Sequence, residues 1–131
     1  MLQIGDNGLP EIEILIFSDE VGSSPFLQWL DKQNSKVQDK CIVALERLGE
    51  YGHELRRPQA DYLKDGIYEL RVSRQGINYR VLYFFYQQQP IISHGFIKQT
   101  NKVPEGEINS AKKNKNLFLA NPEEHTYLEE L

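Results

Sequence analysis

The pattern of apolar and polar positions divides the chain into an N-terminal strand, two helices, three strands and a C-terminal helix. Residues 11–18 alternate apolar with other side chains, which is typical of a strand buried mainly on one side. Residues 26–48 carry apolar side chains at helical spacing, and the polar sequence near Asn34 predicts a break between two helices. Gly49 and Gly52 predict where the second helix ends, because glycine readily leaves a helix at its C-terminus.

Three further strands are predicted in the middle of the chain, at residues 67–74, 78–87 and 91–97. Only a few residues separate them, so we expect antiparallel hairpins. The middle strand is apolar on both sides apart from Arg80, and it should therefore lie at the centre of the sheet. Residues 53–66 contain a proline and several charges without a sustained period, and this segment reads as a long connection.

Pro104 precedes acidic residues and then a lysine-rich segment, which predicts a short C-terminal helix. The acidic segment 117–131 has no clear period, and we expect a mobile tail there. The order of elements predicts one domain over residues 1–131, of the α+β class. In this fold an N-terminal strand and a helix hairpin pack on a twisted antiparallel sheet. The helix hairpin covers one face of the sheet, and the other face is partly open.

Length and composition limit the possible classes of protein. The chain has 131 residues, of which 40% are hydrophobic and 26% are charged, so it can bury a core as one globular unit. No apolar run approaches the roughly 20 residues of a membrane-spanning helix, and the first ten residues do not resemble a secretory signal. We therefore expect a cytoplasmic protein without a membrane partner. Cys41 is either a buried core residue or a nucleophile; its apolar helical surroundings favour the core.

The charge is distributed unevenly along the chain. The formal net charge is −4, but residues 53–115 contain 11 Lys and Arg against 6 Asp and Glu. Residues 1–52 contain 4 Lys and Arg against 9 Asp and Glu, and residues 116–131 contain no Lys or Arg and 4 Glu. A basic middle segment can bind phosphate locally, since fields beyond about 8–10 Å are screened at physiological salt. The alternative is a mixed, solvated surface without a specific partner.

Two arginines of the predicted sheet are candidates for binding an anion. Strand alternation places Arg71 on a polar face together with Glu69, and the expected register brings Arg71 close to Arg80. Two adjacent guanidinium groups repel each other unless an anion lies between them, and phosphate fits the guanidinium fork. The alternative is structural: Arg71 pairs with Glu69 or another carboxylate, and Arg80 extends to a sheet edge.

The third strand of the meander carries His94, and Lys98 continues the same face. An imidazole that titrates near neutrality can act as a base for a ribose hydroxyl, and the ammonium can hold a phosphate oxygen. A single strand histidine is also commonly a hydrogen-bonded structural residue, so both interpretations stay open. The sequence has no glycine-rich phosphate loop and no paired metal-binding carboxylates, so we expect chemistry without a cofactor or a metal.

Four segments in order resemble the phage-derived branch of the RelE/HigB toxin family. They are Tyr68-Glu69-Leu70-Arg71, then Tyr79-Arg80-Val81-Leu82-Tyr83-Phe84, then His94-Gly95-Phe96-Ile97-Lys98, then Val103-Pro104 with Glu107-Ile108 and Ala111. The resemblance covers roughly residues 25–116 and implies a RelE-like fold that agrees with the predicted elements. It also implies the toxin of a type II toxin–antitoxin pair, an endoribonuclease that cuts mRNA on the translating ribosome without a metal and thereby inhibits translation.

The resemblance implies Arg71, Arg80, His94 and Lys98 as the catalytic residues. The arginines would hold the phosphate and its transition-state charge; His94 and Lys98 would act as acid, base or phosphate contacts. The basic residues from which we further expect RNA contacts are Lys64, Arg74, Lys102, Lys112 and Lys113. The implied partner is an antitoxin with a helix-turn-helix DNA-binding domain.

Three positions depart from the family pattern. Gln99 stands where a second lysine is common, Val103 where a threonine is common, and Asn114 where a basic residue is common. A toxin with weakened RNA cleavage is compatible with these departures. A rival interpretation of the same fold is a non-catalytic module that pairs with a helix-turn-helix repressor or contacts nucleic acid without cutting it.

Overall fold

A computed structural model describes residues 12–128 of the chain. The helices are α1 (Pro25–Asp31), α2 (Ser35–Tyr51) and α3 (Glu105–Ala120), with a single 3-10 turn at Gly52–Glu54. The strands are β1 (Leu15–Ile16), β2 (Ala60–Lys64), β3 (Ile67–Arg74), β4 (Ile77–Tyr86) and β5 (Gln89–Lys98). The predicted α+β class is confirmed, and the architecture is consistent with the RelE-like fold that the resemblance implies.

The strands form one sheet in the order β1-β5-β4-β3-β2. Strands β2 to β5 pair in antiparallel fashion, as the short connectors predict, whereas β1 runs parallel to β5. The predicted central position of β4 is confirmed, and its side chains are buried on both faces of the sheet. Leu15 and Ile16 of β1 pair with Ile91 and Ile92, and among residues 12–128 no strand pairs with the second half of β5 on this side, which we call the open edge of β5.

Helices cover both faces of the sheet. The helix hairpin of α1 and α2 packs on one face in a core that includes Phe26, Cys41 and Tyr83. The long helix α3 packs on the opposite face through Ile108 and Phe118. Helix α3 covers only part of this second face, since two cavities lie beside the helix, so the structure agrees with the predicted partly open face.

The predicted helix boundaries in the hairpin are confirmed, and local chemistry explains them. The side chains of Ser24 and Asn34 accept hydrogen bonds from the backbone N–H groups of Leu27 and Val37, which satisfies free donors in the first turn of each helix. Helix α2 ends at Gly52, whose φ of +52° lies in the left-handed region that glycine adopts without strain.

Two strand predictions need correction. The structure forms β1 only over Leu15–Ile16, with Phe17 in an isolated bridge, while Ile12 donates instead to the carbonyl of Gly49. The segment 53–66 is not an unstructured connection, since it contains β2. Its strand pattern is hard to recognise because β2 is a short, polar edge strand whose register shifts near its end.

The segment predicted as a mobile tail packs against the rest of the domain over its described part. Residues 117–120 complete α3, and the backbone of Tyr127 donates to the carbonyl of Ile16. The ring of His125 is buried against Phe17, with 5.5 Å between ring centroids. The reason is that the tail covers the outer edge of β1, an arrangement without a periodic signature in the sequence. Residues 129–131, like residues 1–11, lie outside the described part.

Within residues 12–128 we find no helix with the length and apolar character needed to cross a bilayer.

Candidate functional site

A cleft of about 380 Å³ opens on the face of the sheet that α3 covers. We call it the α3-face cleft; the β2–β3 hairpin, the end of β5 and the start of α3 enclose it. Its lining residues are Arg57, Asp61, Tyr62, Leu63, Lys64, Glu69, Arg71, Lys98, Asn101, Lys102, Val103, Glu105 and Ile108. Five of these side chains are cationic and three are carboxylates, so the cleft has an excess of positive charge that suits an anionic ligand.

Arg71 and Arg80 lie directly opposite each other in the β3–β4 register, as the sequence predicts. Glu69 lies between their guanidinium groups. Its Oε2 accepts from Arg71 at 3.1 Å, and its Oε1 accepts from Nε of Arg80 at 2.9 Å. The structural alternative for Arg71 is thus the arrangement observed. Arg80 does not extend to a sheet edge, because it is 7% exposed and also donates to the carbonyl of Tyr79.

The shared carboxylate explains how two guanidinium groups tolerate the interior of the protein. The Glu69 side chain is 3% exposed and that of Arg80 9%, whereas the Arg71 side chain is 29% exposed. Breaking a buried ion pair by removing one partner typically costs about 3–5 kcal/mol. Arg80 is therefore held in place by its pairing with Glu69, while Arg71 has one side free to face the cleft.

The lysines of the cleft differ in their pairing. Lys64 contacts Glu105 at 2.6 Å, and this contact raises the lysine pKa. Arg57 pairs with Asp61 at 2.7 Å, and its hydrogen bond lowers the pKa of that carboxyl. Lys98 donates to the carbonyl of Asn101 and has no carboxylate within 4.0 Å among residues 12–128. The same is true of Lys102. These two ammonium groups supply the uncompensated charge of the cleft.

His94 shares the sheet face of Arg80 but does not line the α3-face cleft. A bulge in β5 lets Ser93 and His94 both face α3. The ring of His94 contacts Ser93 Oγ at 2.9 Å and Glu107 Oε1 at 3.0 Å, and Asn114 donates to Ser93 Oγ at 3.0 Å. Burial lowers the pKa of His94, although the hydrogen bond to Glu107 opposes this effect. The structure thus separates His94 from Arg71 and Lys98.

A second cavity, of about 450 Å³, lies on the other side of α3 at the open edge of β5. We call it the β5-edge pocket. Its lining residues are Pro25, Gln28, Trp29, Lys32, His94, Gly95, Ser110, Lys113 and Asn114. Successive helical residues turn by about 100°, so Ile108 in one cavity and Lys113 in the other point about 140° apart. Helix α3 therefore separates Lys64 and Lys102, which line the α3-face cleft, from Lys113, which lines the β5-edge pocket.

Two predicted RNA-binding residues lie in neither cavity. Lys112 pairs with Asp65 at 2.9 Å and thereby ties α3 to the β2–β3 turn. Strand alternation places Arg74 on the helix-hairpin side with Leu70 and Val72, where its Nε is buried without a partner among the described residues. Of the residues predicted to contact RNA, Lys64 and Lys102 line the α3-face cleft and Lys113 lines the β5-edge pocket.

Sequence reasoning treated Glu69 only as a possible partner of Arg71 and missed that it also holds Arg80. The signal for this was present, because the predicted register places Glu69 and Arg80 on one face of adjacent strands. Trp29 and Ser93 were missed as site residues, and no local pattern distinguishes them from core positions. Cys41 lies in the core, where burial raises its pKa to about 11. This favours the core interpretation over a nucleophile.

Among residues 12–128, no three His, Cys, Asp or Glu side chains come close enough together to hold a metal ion.

The family model described as phage-derived protein Gp49-like (DUF891) matches residues 28–116, which is more than half of the chain. The matched range runs from α1 to the last part of α3 and includes the residues of both cavities except Pro25. No curated protein matches the chain.

Proposed function

Since the chain belongs to the phage-derived Gp49-like family, which is of the RelE/HigB toxin type, we propose that it is the toxin of a type II toxin–antitoxin pair. In this proposal it is a ribosome-dependent, metal-independent mRNA endonuclease that inhibits translation, and a helix-turn-helix antitoxin holds it inactive. The observation that carries the proposal is the α3-face cleft, where Arg71, Lys98 and Lys102 meet with an excess of positive charge.

The proposed reaction needs positioning and charge stabilisation more than a redox or metal centre. The ribose 2′-oxygen attacks the adjacent phosphorus, the bond to the 5′-oxygen breaks, and the products are a 2′,3′-cyclic phosphate and a 5′-hydroxyl. The proton of the 2′-hydroxyl passes to a water molecule, and the leaving 5′-oxygen takes up one proton, so the number of protons is conserved. Arg71 and Lys98 hold the phosphate oxygens and stabilise the charge that develops on them. Lys98 is also the cation from which a proton can pass to the leaving oxygen.

Arg80 and His94 take indirect roles in this mechanism. Arg80 is buried behind Glu69, so it fixes the carboxylate that orients Arg71. His94 contacts Glu107, near the start of α3, and therefore fixes the helix that forms one wall of the cleft. We assign both as positioning residues. Direct contact with the scissile phosphate falls to Arg71 and Lys98.

The test is induced expression of the chain in a bacterial host, with growth, translation rate and mRNA ends measured together. We expect arrest and new mRNA 5′ ends with wild-type protein, and a loss of cleavage of about 10²–10³-fold for Arg71→Ala. Arg71→Ala keeps the Arg80–Glu69 pair, so the variant should remain folded. Lys36→Ala, an exposed change on α2, is the matched control and should remain fully toxic. Full toxicity of an Arg71→Ala/Lys98→Ala double variant would remove the proposed cleft.

A second candidate function is a non-catalytic module that binds a repressor or nucleic acid. It is favoured by the ion pairs that Glu69 forms with both arginines, because these pairs reduce the charge available for catalysis. Under this alternative, induction leaves growth unchanged, and the purified chain retains RNA without cutting it.

A further inference from the structure

The β5-edge pocket differs from the α3-face cleft in the chemistry of its walls. Trp29 forms an aromatic wall, and Lys32 and Lys113 contribute two cations. No carboxylate lines the pocket. Neither lysine has a carboxylate within 4.0 Å among residues 12–128, whereas Lys64 and Lys112 each form an ion pair. An anionic group that entered the pocket would thus meet two cations that no carboxylate of residues 12–128 pairs with, while the carboxylate of Glu107 contacts His94.

The position of Trp29 depends on a glycine. The indole ring lies directly on Gly95 of β5, and a Cβ atom at that position would overlap the ring. Phe26 and Tyr79 contact the ring from other sides, at centroid distances of 6.2 and 6.3 Å. The indole is therefore fixed in place yet only partly buried. A rigid, partly exposed aromatic ring is a surface on which a nucleobase can stack at little entropic cost.

Polar groups on α3 complete the pocket. Asn114 donates its amide N–H to Ser93, which leaves the amide oxygen free to accept from a ligand. Gln28 is exposed at the rim and offers a second amide. The volume of about 450 Å³ lies within the range of about 300–1,000 Å³ that is usual for small-molecule sites.

We propose that the β5-edge pocket binds one nucleotide of single-stranded RNA, with the base against Trp29 and the phosphate between Lys32 and Lys113. This inference deepens the proposed function, on which it rests, by adding a recognition site outside the α3-face cleft. Helix α3 separates the two cavities, so the nucleotide bound here is not the one that is cut. The pocket would hold a neighbouring part of the same message and thereby favour particular bases.

Trp29 is the single tryptophan of the chain, so its fluorescence reports occupancy of this pocket directly. The experiment titrates purified full-length protein with adenosine 5′-monophosphate, uridine 5′-monophosphate, adenosine and inorganic phosphate. We expect saturable quenching by the nucleotides. Lys32→Gln/Lys113→Gln should raise the dissociation constant about tenfold, because each exposed charge pair contributes modestly. The Lys36→Gln variant removes one exposed positive charge on α2, outside the pocket, and should bind as the wild type does.

Several results would overturn the inference. They are equal quenching in the double-lysine variant and the wild type, equal quenching by inorganic phosphate and by nucleotides, and quenching by an acidic peptide but not by nucleotides. The Arg71→Ala variant separates this site from the proposed function. If Arg71→Ala abolishes mRNA cleavage but nucleotides do not quench Trp29 in the wild type, the proposed endonuclease activity is supported and the proposed nucleotide site is refuted. If nucleotides quench Trp29 in the wild type and more weakly in Lys32→Gln/Lys113→Gln, but induction of the wild type yields no cut mRNA, the nucleotide site is supported and the endonuclease activity is refuted.

Discussion

The two cavities beside α3 differ in how their cations are balanced. In the α3-face cleft, Glu69 holds Arg71, Asp61 holds Arg57 and Glu105 holds Lys64, so much of the positive charge is already paired within the protein. In the β5-edge pocket, both lysines lack such a partner among the described residues. The difference teaches that the number of cations in a cavity does not measure its capacity to bind an anion. The burial of each cation and its pairing with a carboxylate decide how much positive charge remains available to a ligand.

Removing Glu69 should have the largest effect on this balance. In Glu69→Ala the guanidinium of Arg80 stays buried without a carboxylate, and we expect the free energy of unfolding to fall by about 3–5 kcal/mol in chemical denaturation. In Glu105→Ala the lost partner is 63% exposed, so that change should be far smaller. The double variant Glu69→Ala/Arg80→Met should recover part of the loss, because the buried charge is gone. Equal stability of Glu69→Ala and wild type would show that water reaches Arg80.

Filling the space beneath Trp29 should have an intermediate effect on the free energy of unfolding. Gly95→Ala introduces a Cβ that overlaps the indole, and overpacking of this kind costs about 1–3 kcal/mol of unfolding free energy. The tryptophan emission should shift to longer wavelength as the ring moves toward solvent. Gly106→Ala on α3 is the matched control: nothing lies within 4 Å of its Cβ position, so the change should be neutral or stabilising by up to about 1 kcal/mol. An unchanged emission spectrum in Gly95→Ala would contradict a ring fixed by that glycine.

The pH dependence of stability should show the smallest effect and tests the link between His94 and α3. The charged groups around His94 are Glu107 at 3.0 Å and, across the pocket, Lys32 and Lys113. Burial lowers the pKa of His94 below the value of about 6.5 expected in the unfolded chain. At a pH between these two pKa values, His94 is protonated in the unfolded chain but not in the folded chain. The histidine contribution is thus fully present above about pH 6.5 and is lost as the pH falls through the folded pKa.

The expected slope for this one histidine is at most about 1.4 kcal/mol per pH unit. Denaturation of wild type and His94→Gln between about pH 7.5 and pH 5 measures it, since the variant lacks the titrating group. A wild-type profile with the same slope as His94→Gln would contradict a lowered histidine pKa. A profile that rises toward acidic pH would indicate that Glu107 outweighs burial.

The sequence was a good guide to the larger part of the fold. Periodicity located the helix hairpin, the three strands of the meander and α3, because these elements are long and each buries a regular apolar face. It also gave the register that places Arg71 opposite Arg80. It failed for β2 and for the segment around His125, since a short edge strand and a packed tail depend on contacts with distant residues.

The same division applies to the candidate site. The alternation of β3 and β4 placed Glu69, Arg71 and Arg80 on one face of the sheet, because side-chain direction along a regular strand is a local property. It did not predict the bulge in β5, beyond which His94 lies on the same face. Only the tertiary structure decided that α3 crosses that face and separates His94 from Lys98. It also decided that Glu69 serves two arginines and that Trp29 lies on Gly95. Such pairings depend on the distances between separate helices and strands. Tertiary packing sets these distances, and no local sequence pattern encodes them.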